Sequence, residues 1–241
     1  MKEHYAGNMT SPEFREAIKS NRGVIITIGS CEQHGHHLPL DTDNLIGFNT
    51  AINVAKRTDC LLLPPINYGQ VWSAKNFSGT IALTTTTIKA ILHDIVISLQ
   101  RHGVKNIIFM SGHNGNCAAI KEACREIHDQ YGWNNVWHVF PTLSKEGWEL
   151  LESPIACNCI HAGELETSMV LAIRPDLVHM DCVTKEYPVQ PKELAYRPMG
   201  WDEYIETGSF GDSSLASIEK GQRINQLMID EAVRIISEVI H

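Results

Sequence analysis

Apolar runs and amphipathic stretches alternate along the chain, and the alternation predicts strands separated by helices. Gly23-Val-Ile-Ile-Thr-Ile-Gly29 is almost continuously apolar, the pattern of a parallel strand covered on both faces. Cys60-Leu-Leu-Leu63, stopped by Pro64-Pro65, then Asn106-Ile-Ile-Phe-Met110 and Val136 to Phe140 read as further strands. Helical periodicity is expected over Leu45 to Arg57, Ile88 to His102, from Asn116 to about Tyr131 and over His161 to Ile173, with an amphipathic helix from about Ile218 to Ile240. Near the start, Ser11-Pro-Glu-Phe-Arg-Glu-Ala-Ile-Lys19 offers an N-cap serine, a proline at the first helical position, and Phe14 and Ile18 four apart on one face. Strands that alternate with helices predict an α/β fold, a three-layer α/β/α sandwich around a mostly parallel sheet. From Lys185 to Ser217 the pattern breaks into an irregular stretch rich in Pro, Gly and aromatics, which reads as a binding or interface segment.

Composition narrows the classes. The 241 residues carry no Pro/Gly/Ser-rich linker, so one domain over residues 1–241 is expected. A formal net charge of -8, with no Lys/Arg-rich run, argues against a nucleic-acid partner. The first ten residues hold no apolar signal core and no apolar stretch reaches the roughly 18 residues of a membrane span, so a cytoplasmic protein without membrane contact is expected. Seven scattered cysteines fit reduced thiols better than a disulfide framework. Cys157 and Cys159, close to His161, lack the two-to-four-residue spacing of structural zinc knuckles.

Candidate chemistry begins just after the first strong strand. Glu32, His34, His37 and Asp43 crowd into Gly29-Ser-Cys-Glu-Gln-His-Gly-His-His-Leu-Pro-Leu-Asp-Thr-Asp-Asn44, and ligands of parallel sheets sit beyond the strands' carboxyl ends. Glu32 and His34 are two apart, so an extended segment points both to one side. The Leu38-Pro39-Leu40 turn can return the chain and bring Asp43 to the same place, giving donors suited to a divalent metal. Ser111-Gly-His-Asn-Gly-Asn116 follows another predicted strand and puts His113 on the same sheet edge. A third motif, His161-Ala-Gly-Glu-Leu-Glu-Thr-Ser168, places His161 and Glu164 on one face if a helix begins at His161, with Glu166 pointing elsewhere.

Glu-x-His-Gly-x-His-Leu-Pro with an Asp six residues after its last His, followed in order by Gly-His-x-Gly-Asn and His-Ala-Gly-Glu-x-Glu-Thr, resembles the creatininase (creatinine amidohydrolase) family. The likeness runs from Gly29 through Gly208-Ser-Phe-Gly-Asp-Ser-Ser-Leu-Ala-Ser-Ile-Glu-Lys-Gly221. It implies an α/β/α amidohydrolase with two divalent ions per chain, zinc, manganese or iron, assembled as a homo-oligomer, usually a hexamer. Carried over, Glu32, Asp43 and His113 would hold one ion; His34, Asp43 and a further glutamate would hold the other.

That further glutamate marks a departure. Creatinine-cleaving members carry a Glu two residues after the His of the second motif, where this chain has Gly115. Glu164 is therefore the expected replacement ligand, Glu166 is expected to orient a ligand or water, and His161, unassigned to a metal, is the expected general acid/base. The stretch before His161, Ala156-Cys-Asn-Cys-Ile160, lacks the tryptophans that pack on creatinine, so creatinine is a poor substrate expectation. Substrate contacts are expected from the Tyr68 to Gly79 loop and the Tyr187 to Phe210 segment. The leading expectation is a metal-dependent hydrolase of a small cyclic amide or another carbon-nitrogen bond outside protein substrates. The alternatives are a hydrolase opening an oxidised inositol at a carbon-carbon bond and a non-catalytic metal-binding assembly protein. A nucleotide-dependent oxidoreductase is disfavoured, because no Gly-x-Gly-x-x-Gly follows a predicted strand.

Overall fold

Branched apolar side chains dictate the centre of the molecule. In the computed structural model, which describes residues 2–20, 23–154 and 161–240, strands β1 (Gly23–Ile28), β2 (Leu61–Leu62), β3 (Asn106–Ser111) and β4 (Val136–Val139) form one parallel sheet in the order β2-β1-β3-β4. Every residue of β1 is buried. Because strand side chains alternate, Val24, Ile26, Ile28, Ile107 and Phe109 project to one face, where they meet helices α3 (Thr85–Arg101) and α4 (Cys117–Tyr131), with Phe14 and Ile18 of α1 (Ser11–Ile18) against them. Ile25, Ile108, Met110 and Val139 project to the other face and meet α2 (Thr42–Thr58) and α7 (Ile218–Val239) through Ala51, Val54, Ala232 and Ile236. Three layers result, as expected, and each fully buried isoleucine contributes about 1.5–3 kcal/mol.

This strand order positions the site. The chain leaves β1 toward β2 on one side and leaves β3 toward β4 on the other, so a crevice opens between the carboxyl ends of β1 and β3. A third cluster of Leu38, Ile46, Ala162, Met169, Val170 and Ile224 ties the loop after β1 to α6 (Glu164–Ile173) and α7. Gly112 lets the end of β3 approach α2: a Cβ there would meet the Asp43 carbonyl and the Gly47 Cα.

Boundaries shift where local chemistry outweighs periodicity. Helix α1 takes Thr10 rather than Ser11 as its N-cap, with Glu13 closing a capping box. Helix α2 starts at Thr42, three residues earlier than its apolar pattern, which puts Asp43 in its first turn. Helix α6 starts at Glu164, not His161, since Ala162 holds a φ of 51° and Gly163 is the extended cap. A short helix α5 (Lys145–Glu149), capped by Ser144, was not expected from the pattern. The irregular stretch 185–217 consists of 3-10 turns around a two-stranded antiparallel ladder of β5 (Lys185–Glu186) and β6 (Gly211–Asp212). The possible knuckle of Cys157 and Cys159 lies outside the described residues. Among the described residues no helix is long and apolar enough to cross a membrane.

Candidate metal centre

Backbone turns after β1 and β3 bring donors from three parts of the chain to the crevice. The side chains of Glu32, His34 and Asp43 are all but fully buried there. Asp43 stands at the centre: its Oδ2 is 2.9 Å from His113 Nδ1, and its Oδ1 is 3.4 Å from His34 Nε2. Glu32 Oε2 lies 3.1 Å from His113 Nδ1, and Glu166 Oε2 lies 3.7 Å from His34 Nε2. Ser30 Oγ donates to Asp43 Oδ2 at 2.6 Å and reaches Glu32 Oε2 at 3.3 Å.

Outer hydrogen bonds set which nitrogen each imidazole turns inward. His34 Nδ1 donates to the Glu32 carbonyl at 3.1 Å, and His113 Nε2 donates to the Gln70 carbonyl at 2.9 Å. The inward atoms, His34 Nε2 and His113 Nδ1, then face carboxylates and are the ones free to ligate a cation once deprotonated, and His34 Nε2 is buried without a hydrogen-bond partner among the described residues. Without a cation, protons must hold such a cluster together. Burial disfavours charge on His34 and His113, yet Asp43 and its neighbouring carboxylates raise them to about 10 and about 9. Burial likewise raises the Glu32 and Glu166 carboxyls to about 7, while for Asp43 burial is outweighed by His113 and His34, which hold it well below the usual carboxylate range. Two buried carboxylates and the half-buried Glu166, with no Lys or Arg partner among the described residues, are the environment a divalent cation relieves.

Two overlapping donor groups share Asp43: Glu32, Asp43 and His113, and His34, Asp43 and Glu166. A third grouping, Glu32, His34 and His161, brings His161 to the edge of the same cluster.

The structure corrects the expectation for the two glutamates of the third motif. Glu164 is wholly buried but faces away from the cluster: its carboxylate accepts from the backbone N–H groups of Glu152 and Ser153, and pairs with Lys220 Nζ at 2.5 Å. Its negative charge already has a cation. Glu166 takes the position by the donors, its Oε2 also accepting from the Ala162 N–H at 2.6 Å. The cause is the late start of α6, which removes His161 from the helix and with it the face that His161 and Glu164 were expected to share. Gly115 is consistent with this exchange, because a Cβ there would collide with His113 Nε2 and the Gln70 carbonyl, the pair that orients His113.

His161 is buried at the cavity wall, its ring 4.4 Å from that of His34 and 4.6 Å from that of Trp201. Burial, with His34 adding to it, keeps His161 well below the ordinary imidazole pKa. Its Nε2 lies 3.0 Å from the Gln33 carbonyl and 3.1 Å from the Gln33 amide nitrogen, and that amide also donates to the Gly208 carbonyl. Gln33 and Ser30 were missed from sequence; the available signal was that a buried Gln between two extended ligands must point opposite to them. His37 turns away and bonds Thr167 Oγ1 at 2.8 Å, and burial lowers its pKa to about 4. A cavity of about 760 Å³ opens over Glu32, Asp43, His113, His161 and Glu166. Trp148 and Trp201 line it, so aromatic walls come from positions other than the stretch before His161.

Oxygen and imidazole donors gathered beneath a cavity at the carboxyl edge of a parallel sheet form a candidate metal centre suited to divalent ions. The chain belongs to the creatininase family, matching it (creatinine amidohydrolase) over residues 7–236. Creatinine amidohydrolase of Pseudomonas putida is 26% identical over 98% of this chain and 97% of its own length. A mycofactocin precursor peptide peptidase of Mycobacterium ulcerans (strain Agy99) is 32% identical over 87% of this chain and 82% of its own length. Among solved structures, a manganese creatininase superposes with a TM-score of 0.82 at 26% identity, covering 98% of both chains. A Zn–Zn form of a creatininase variant gives 0.81 at 26% identity, covering 99% of this chain and 98% of its own.

Proposed function

We propose that this chain is a two-metal hydrolase that cleaves a carbon-nitrogen bond in a small cyclic amide or another substrate that is not a protein. The observation that carries the reading is Asp43, whose two carboxylate oxygens face two separate donor groups. Glu32, Asp43 and His113 would hold one ion, and His34, Asp43 and Glu166 the other, with Asp43 bridging. Zinc, manganese or iron bound there supplies Lewis-acid chemistry, acidifying water toward neutrality and polarising a carbonyl.

The chain's own groups complete the reaction. Ser30 fixes the Asp43 and Glu32 carboxylates through its hydroxyl. His161, at the cavity wall and held through Nε2 by Gln33, accepts and returns the proton that the leaving nitrogen needs. Trp201 and Phe210 pack on the His161 ring and exclude water from that side. A second reading, opening of an oxidised inositol, has a named relative in the 3-dehydro-scyllo-inosose hydrolase of Thermotoga maritima. Phe140, Leu143, Trp148 and Leu194 on the outer wall favour the amide reading, since a polyol would have to place its hydroxyls on the polar minority of the lining, Asn114 and Gln190 among it.

Elemental analysis of the purified protein after gentle dialysis is expected to find two divalent ions per chain, and an amide panel to reveal cleavage while creatinine turnover stays negligible. One tightly held ion, unchanged by Asp43→Ala, would remove the bridging role. Robust creatinine hydrolysis would overturn the substrate exclusion.

A further inference from the structure

Metal donors and His161 account for only the floor of the cavity. Much of the remaining wall is aromatic or aliphatic, with Trp72 from the loop before α3, Phe140 and Trp148 around α5, and Leu194, Trp201 and Phe210 from the irregular stretch 185–217, while polar side chains such as Gln190 lie between them. At about 760 Å³ the space suits a ligand much larger than one small ring. A lone ring would leave apolar walls in contact with water, an arrangement that favours a substrate able to cover them.

Charge on the walls is equally selective. No Lys or Arg is among the described lining residues, and residues 155–160 contain none. Several basic side chains on neighbouring elements are engaged elsewhere, Lys185 with Asp212, Lys220 with Glu164 and Arg197 with Glu203; the Lys75 ammonium sits over the Trp72 ring and Lys192 is exposed on the turn that carries Leu194, both outside the lining. An anion seated against the outer walls, away from the donors on the floor, would lose its hydration shell with no lining cation to replace it.

We propose, resting on the hydrolase reading above, that the physiological substrate is an uncharged amide bearing a bulky aromatic or branched apolar group seated against Trp148, Trp201 and Phe210, and that phosphorylated compounds are rejected. Full burial of a phenyl ring is worth about 10- to 100-fold in affinity.

Calorimetry on the zinc-loaded protein tests this with three probes: N-acetylglycinamide, N-acetylphenylalaninamide and N-acetyl-O-phosphotyrosinamide. The phenylalanine compound is expected to bind about 10- to 100-fold tighter than the glycine compound, and at least about 10-fold tighter than the phosphorylated one. Trp148→Ala should remove most of the phenyl advantage without changing zinc content. Leu194→Lys, at a half-buried position on a 3-10 turn, should selectively raise affinity for the phosphorylated probe. Equal binding of the two neutral amides, or tightest binding of the phosphorylated probe to the unaltered protein, would overturn the proposal. Failure of the hydrolase reading would look different: zinc stoichiometry or amide cleavage would be lacking while the preference for the phenyl compound persisted.

Discussion

The loop after β1 and the entry to α6 both bury carboxylates, yet they neutralise them by opposite means. After β1, Glu32 and Asp43 face imidazoles and a serine hydroxyl, and among the described residues no Lys or Arg pairs with either. At the entry to α6, two glutamates two positions apart divide. Glu164 is met by Lys220 and two backbone N–H groups, whereas Glu166 has one N–H and faces His34. Burial alone therefore does not mark a metal ligand. What the proposed ligands share is the absence, among the described residues, of a Lys or Arg where several donors converge, because an unpaired buried carboxylate is costly.

The strongest way to break this comparison is to remove its shared element. Asp43→Ala is expected to release both ions and abolish activity, since each donor group loses its common carboxylate; elemental analysis and an amide-cleavage assay read the two effects. Next, Glu166→Gln is expected to release one ion of the two and lower kcat by at least about a thousandfold, because a neutral amide does not neutralise the cation. Retention of both ions by Glu166→Gln would return Glu166 to the role of orienting water.

How much of this was legible in the sequence follows the same division. The strands, the layers and the Glu32, His34, Asp43 and His113 juxtaposition depend on short-range spacing: two residues along an extended segment, one tight turn, and one sheet edge. Those rules act locally, so periodicity and turn chemistry carry them. The Glu164 and Glu166 exchange depends on one backbone conformation, the φ of 51° at Ala162, and on a lysine 56 positions away at Lys220. Neither leaves a local signal. An alanine is a poor advertisement for the left-handed region, and a lysine in an amphipathic helix looks like ordinary solvated surface. The aromatic wall was illegible for a similar reason, as Trp148 and Trp201 come from a five-residue helix and a 3-10 turn whose patterns are too short to read.

His161 tests the comparison from its third side. It sits beside the donors but is held by Gln33 rather than by a carboxylate. His161→Ala is expected to keep both ions while lowering kcat by about 100- to 10,000-fold, the usual contribution of a general acid/base. Loss of an ion on this change would make His161 a ligand and widen the cluster to include the grouping of Glu32, His34 and His161.

The smallest expected effect sharpens the comparison most, because it asks whether a fully buried glutamate can be neutralised without touching the chemistry. Glu164→Gln keeps the side chain's volume and some of its acceptor capacity toward Glu152 and Ser153, but removes the charge that faces Lys220. The expected cost is about 1.5–3 kcal/mol of stability, the range for hydrogen bonds to charged groups, read as a lower midpoint in urea unfolding with unchanged slope. Ion content and kcat should stay near those of the unaltered protein. Lys220→Met removes the same pair from the other end, and also frees Glu152, which Lys220 contacts at 2.6 Å. Since Glu164 and Lys220 touch, the double variant should cost less than the two single changes added together, with a coupling of about 0.5–3 kcal/mol. Strict additivity would mean that the buried pair does not neutralise Glu164. Release of an ion by Glu164→Gln, with the fold intact by circular dichroism, would restore Glu164 as a ligand and collapse the distinction between the two glutamates.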